Sequence, residues 1–145
     1  MNNKKIQITF NRKKSPIPID YRPLYKISHF ALILYYCCIK NKASLVKLHL
    51  FAWALKSSKN MAKFEETLDS GIWSLEASVT RALNFGVAEG LFDRKGISFS
   101  LTVKGKSFVE QINHLDALHP EKRFLKKIGK SISESKIKTI SKHWQ

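Results

Sequence analysis

The stretch Leu75–Val109, LEASVTRALNFGVAEGLFDRKGISFSLTVKGKSFV, constrains the fold more than any other part of this chain. Leu75, Val79, Leu83 and Val87 recur every four residues, with Ala82 and Phe85 beside them, and make the apolar stripe of a helix. Gly86 costs such a helix about 1 kcal/mol relative to alanine. Gly90 stands where the helix should stop, because glycine takes the left-handed C′ conformation without a Cβ clash. Leu91-Phe92 begins a short strand, Asp93-Arg94-Lys95-Gly96 reads as a turn, and Ile97, Phe99 and Leu101 alternate as in a half-buried strand. Thr102 can cap a following helix whose apolar side is Phe108, Val109 and Ile112. Helix, two-stranded wing and helix form the second half of a winged helix, a fold that serves many functions.

Upstream, Pro23 suits the first turn of a helix running from Leu24 to Ile39. From Phe30 to Tyr36 that helix is apolar nearly all round. Lys40-Asn41-Lys42 breaks it, and Asn41 or Ser44 caps a second helix carrying Leu45, Val46, Leu48, Leu50, Phe51, Trp53 and Leu55. A surface helix normally shows one apolar stripe. Two successive helices without one are central to a large core or covered by another chain, and 145 residues leave little room to enclose both. Phe30, Leu34, Tyr35, Phe51 and Trp53 are therefore expected at a protein interface, the other reading being an internal core. Residues 57–70 are polar, with a short helix expected around Met61–Leu68.

The formal net charge of +15 is concentrated at the two ends. Residues 1–26 hold seven Lys or Arg against Asp20, and residues 119–145 hold eight against Glu121 and Glu134. Residues 27–118 hold eleven against eight acids, so the body is nearly balanced. Such a distribution suggests basic arms that meet a polyanion or an acidic surface. In the N-terminal arm, Ile6–Phe10 alternates and could add a strand to a neighbouring sheet, or the arm is a mobile tail. In the C-terminal arm, Phe124, Leu125, Ile128 and Ile132 form a narrow stripe among lysines. That stripe is expected to dock on a partner, with a last helix packed on its own domain as the alternative.

No catalytic constellation is recognisable. Gly129-Lys130-Ser131 resembles the end of a phosphate-binding loop, but Phe124 stands where the motif needs its first glycine. The five histidines have no His or Cys partner at metal-ligand spacing, so no metal or cofactor is expected. Cys37 and Cys38 are helical neighbours that would make a strained bridge. Two thiols, no signal peptide and high lysine content point to the cytoplasm. The longest apolar run, Phe30–Ile39, has ten residues, whereas a membrane span needs about 20.

A recognition helix presents Arg, Lys, Asn or Gln to DNA. Residues 74–89 offer only Arg81 and Asn84, beside the repelling Glu76 and Glu89. Sequence-specific reading is not expected from them. Lys4, Lys5, Arg12, Lys13 and Lys14 of the first arm, with Arg94, Lys95, Lys104 and Lys106 around the wing, could hold phosphate without reading sequence.

RPLYKISHFALILYYCCIKNKASLVKLHLFAWALKS, then VTRALNFGVAEGLF, LTVKGKSFV and FLKKIGKSISESKI, resembles the small middle component of bacterial ABC three-component systems. The Lamassu anti-phage systems are the best-known members. The resemblance covers about Arg22–Ile137 and leaves the far N-terminus outside it. It implies a non-catalytic adaptor that joins an SMC-like ABC ATPase to an effector, often a nuclease, in a complex that senses DNA.

The expected architecture is mainly α with a small β-wing: a winged helix-turn-helix domain at 23–118, a basic N-terminal arm at 1–22 and a basic amphipathic C-terminal arm at 119–145. The expected function is that adaptor role, with sequence-independent contact to double-stranded DNA and no membrane. A free DNA-binding regulator is the alternative.

Overall fold

Helix α1 (Pro23–Cys37) is the axis of the computed structural model, which describes residues 23–66 and 76–141. Around it lie α2 (Leu45–Ala54), α4 (Ala77–Ala88), α5 (Val103–His114) and α6 (His119–Ile128). The remaining helices, α3 (Ser58–Glu66) and α7 (Glu134–Ser141), both pack on α2. Three strands, β1 (Lys42–Ser44), β2 (Phe92–Lys95) and β3 (Ser98–Leu101), form an antiparallel sheet in the order β1-β3-β2. The described chain is thus mainly helical with a small three-stranded sheet, an arrangement compatible with a winged-helix-like fold.

Because α1 is surrounded, its lack of a polar face needs no partner chain. Ile27, Phe30, Ala31, Leu32, Ile33 and Leu34 are all buried within this chain, as are Leu48, Leu50 and Phe51 of α2. The expectation of a protein interface at Phe30, Leu34 and Phe51 is corrected accordingly. Its error lay in counting residues 119–145 outside the domain. Phe124 and Leu125 of α6, Ile132, and Ile137 of α7 belong to the same core. The Phe64 ring lies 5.0 Å from that of Phe51 and 5.4 Å from that of Phe124, so α3 joins α2 to α6 through aromatic contacts. The segment read as a separate C-terminal arm is, over its described part, integral to the fold.

Two charged residues in adjacent positions anchor α6 to two different helices. Glu121 Oε2 lies 3.3 Å from His29 Nε2 and accepts a hydrogen bond from the Tyr25 hydroxyl, both on α1. Lys122 Nζ donates to the carbonyls of Ile112 and Leu115 at the end of α5. Ile112 O also accepts from Leu115 N, and carbonyls at a helix terminus commonly need such partners from outside the helix. Lys47 does the same for α1: only 3% exposed, it donates to the carbonyls of Cys37 and Ile132.

Between α1 and β1 the chain turns through Ile39–Asn41, with Lys40 and Asn41 at positive φ. Ser44 ends β1 and caps α2 by accepting from Lys47 N. Leu45 N donates inward to Ile97 O. The neighbouring Ser44 N–H points to the outer edge of the sheet, where Glu134 of α7 accepts it at 3.0 Å. β1 was not expected from the sequence, which marked Lys40-Asn41-Lys42 as a simple break.

Candidate functional site

Helix α4 and the hairpin that follows it are locked together by local chemistry. Gly90 has φ +78. Its N–H donates to Val87 O, and Leu91 N–H donates to Gly86 O. This is the double closure that a left-handed C′ glycine permits. Gly86 itself is required by packing, since a Cβ there would lie 2.4 Å from the Phe92 ring. The hairpin loop is tighter than the sequence suggested: Lys95 pairs with Ser98, so the turn is Gly96-Ile97 and Asp93, Arg94 and Lys95 belong to β2. Gly96, at φ +60, supplies the positive φ that a two-residue loop demands. Thr102 Oγ1 accepts from Gly105 N, as expected of the cap, and donates to the carbonyls of Gly90 and Leu91.

The cations assigned to phosphate on this face divide into two groups. Arg94 is engaged internally: Nη1 donates to Asn84 Oδ1 at 2.8 Å, Nε donates to Gly96 O, and the guanidinium lies over the Phe99 ring. Lys104 donates to Glu89 O and closes the end of α4. Both side chains thus already have internal hydrogen-bond partners. Lys95 and Lys106 are exposed. Lys4, Lys5, Arg12, Lys13 and Lys14 lie outside the described residues, as does the alternating stretch Ile6–Phe10.

Of the interface residues expected from the sequence, Phe124, Leu125 and Ile132 are buried in the core with Phe30, Leu34 and Phe51. Trp53 and Ile128 are half-buried against that core. Tyr35 alone of the set is exposed, and its ring meets Tyr36 edge-on. The large apolar side chains that do face solvent are different ones: Phe85 on α4 at 48%, Ile97 at the hairpin loop at 64%, Val103 at the start of α5 at 85%, and Ile39. Phe85, which the sequence set beside the apolar stripe of α4, is turned to solvent instead, and the buried side of α4 is Val79, Ala82, Leu83 and Gly86.

Among the described residues no group of three or more His, Cys, Asp or Glu is placed to hold a metal ion. Burial, then the neighbouring thiol, pushes the Cys37 thiol up to about 12. Burial likewise raises Cys38 to about 12. Both are therefore protonated at neutral pH, and a thiol is a far poorer nucleophile than a thiolate. His49 is hydrogen-bonded to Leu45 O and Glu76 O. No described helix is long and apolar enough to cross a membrane. No family model matches the chain, and comparison with curated proteins and with solved structures gives no match.

Proposed function

We propose that this chain is a non-catalytic, winged-helix adaptor that joins an SMC-like ABC ATPase to an effector subunit in a cytoplasmic anti-phage complex, with sequence-independent contact to DNA. The order α1, β1, α2, α3, α4, β2, β3 and the strand order β1-β3-β2 are compatible with a winged helix that carries α3 as an extra short helix, and they support the fold half of this reading. The resemblance of Arg22–Ile137 to the middle component of ABC three-component systems supports the partner half.

The observation that carries the preference for a protein partner is the Arg94–Asn84 hydrogen bond. These are two of the best-suited groups for reading a base edge on this face, and each already has the other as a hydrogen-bond partner. What remains exposed nearby on α4 and the hairpin includes Phe85, Ile97, Glu89 and Asp93, beside the cations Arg81 and Lys95. Exposed aromatic and aliphatic side chains suit a protein surface, whereas the two acids repel phosphate.

The test is co-purification of tagged chain with the ATPase and effector encoded beside it. Phe85→Asp and Ile97→Asp are expected to lower recovery of one partner about tenfold, as loss of an interface anchor does, with an unchanged thermal melt. Recovery at the wild-type level from both variants would overturn the reading. The regulator alternative draws on Arg81, which is exposed on α4. A site-specific duplex complex that survives physiological salt and is lost in Arg81→Ala would replace the adaptor with that regulator.

A further inference from the structure

The end of α5 and the flank of α6 enclose a cleft of about 350 Å³, lined by Asn113, Leu115, His119, Lys122, Arg123 and Lys126. Four of these six side chains are basic, and none is acidic. The acid next to them in sequence, Glu121, does not line the cleft and is held toward α1 by His29 and Tyr25. At the rim, the Asp116 carboxylate lies 2.6 Å from His119 Nε2. Arg123 and Lys126 are exposed, and neither has a carboxylate partner among the described residues.

Lys122 is what makes the cleft more than a solvated basic surface. It is 7% exposed. Its ammonium has three donors, and the carbonyls of Ile112 and Leu115 take two of them at 2.7 and 3.0 Å. The third has no acceptor among the described residues. A buried cation without a carboxylate partner is costly, and an anion at its side would relieve that cost. Burial, and then the charge of Lys126, lowers its pKa from the usual lysine value, and the nearby carboxylates of Asp116 and Glu121 offset this only in part.

We propose that this cleft binds a phosphate group, with Lys122 as a fixed buried donor and with Arg123 and Lys126 closing on the oxygens from the rim. Phosphate suits the site better than carboxylate. It carries more oxygens and more charge for three cations, and a guanidinium pairs with two of its oxygens at once. The source is either a free phosphate, such as that of a nucleotide, or the phosphodiester backbone of DNA. The inference does not depend on the adaptor reading, and its test uses this chain alone.

Two assays on the full-length protein decide it. Inorganic pyrophosphate is titrated by calorimetry, and a duplex of mixed sequence by fluorescence anisotropy at two or more salt concentrations. Arg123→Ala/Lys126→Ala is compared with Lys59→Ala/Lys63→Ala, a pair of exposed lysines on α3 that removes the same charge elsewhere. All four substituted side chains are exposed, so equal melting of the three proteins is expected and is checked first. A free-phosphate site gives pyrophosphate heat that the cleft variant loses and the α3 variant keeps. A phosphodiester site gives duplex binding that the cleft variant weakens about tenfold, with the logarithmic salt slope reduced by about 2, near 0.9 for each phosphate no longer neutralised. Either result supports the cleft and names its ligand. Equal losses in the two variants, or wild-type binding of both probes by the cleft variant, would overturn the proposal.

Discussion

Glu121 Oε2 lies 3.3 Å from His29 Nε2, and this buried contact fastens α6 to the central helix. Burial alone would raise the Glu121 carboxyl. The hydrogen bond from His29, that from its own backbone, and that from Tyr25 outweigh burial and hold it below the ordinary carboxylate value. A depressed folded-state pKa means that the unfolded chain binds the proton more readily. This contribution is therefore complete above the unfolded carboxylate pKa, about 4.3, and is lost as pH falls through the lower folded value. Glu121→Gln is expected to cost about 2 kcal/mol at pH 7, the scale of a charge-assisted hydrogen bond. It should also flatten the acid side of the stability profile. Urea unfolding of both proteins between pH 7 and pH 3 checks this. A variant whose stability falls with acid as steeply as the wild type would remove Glu121 from the account.

Deleting residues 119–145 should abolish the cooperative melt. The truncation uncovers α1 along the side that Phe124 and Leu125 fill, and it breaks the aromatic contact of Phe64 with Phe124. Circular dichroism during heating reads the outcome directly. A truncated protein that melts as sharply as the full chain, and at the same temperature, would restore the view of residues 119–145 as a detachable arm.

Lys47→Met should lose about 2 kcal/mol, because the buried carbonyls of Cys37 and Ile132 remain after their donor is gone. Replacing a buried cation by an apolar group can be neutral when its partners go as well. Here both are backbone atoms that no side-chain substitution removes. Chemical denaturation measures the difference, and an unchanged midpoint would show that another donor reaches those carbonyls.

Gly105→Ala is expected to be among the most damaging small substitutions, at about 3 kcal/mol, the upper range for overpacking. The added Cβ would stand 2.2 Å from Leu91 O, a backbone atom that cannot swing away. At Gly96 nothing lies within 4 Å of the position a Cβ would take. Gly96→Ala therefore meets only the strain of positive φ, about 1 kcal/mol. Thermal melts of the two variants should rank in that order, and equal losses would refute the contact with Leu91.

Where local chemistry decides structure, the sequence was readable. Val79 and Leu83 are buried at the expected spacing, Gly90 ends α4, Phe99 and Leu101 face inward, and Thr102 caps α5. Where tertiary contact decides, it was not. Lys42-Ala43-Ser44 has little strand propensity and is extended because β3 offers it an edge to pair with. Apolar residues all round α1 could equally mean a partner chain or an enclosed helix. The enclosing helix, α6, showed its apolar stripe in the sequence, but Phe124 and Leu125 among lysines fit a partner's groove as well as this chain's own core, and the Glu121 and Lys122 contacts that help seat it carry no periodic signal. The cleft that α6 forms with α5 brings together residues 113–126 by chain folding after His114, where Leu118 takes a positive φ that no periodicity encodes.

The hydrogen bond from Ser44 N to the Glu134 carboxylate has a consequence for growth of the sheet. An open strand edge is a template on which another chain can lay down a further strand, in aggregation as well as in recognition. Glu134 occupies that template on the β1 side. On the opposite side, β2 presents Asp93, Arg94 and Lys95 in succession, a run of charge that discourages stacking of identical chains. Among the described residues, both edges of the three-stranded sheet are thus guarded, one by a carboxylate that takes a backbone donor and the other by charged side chains.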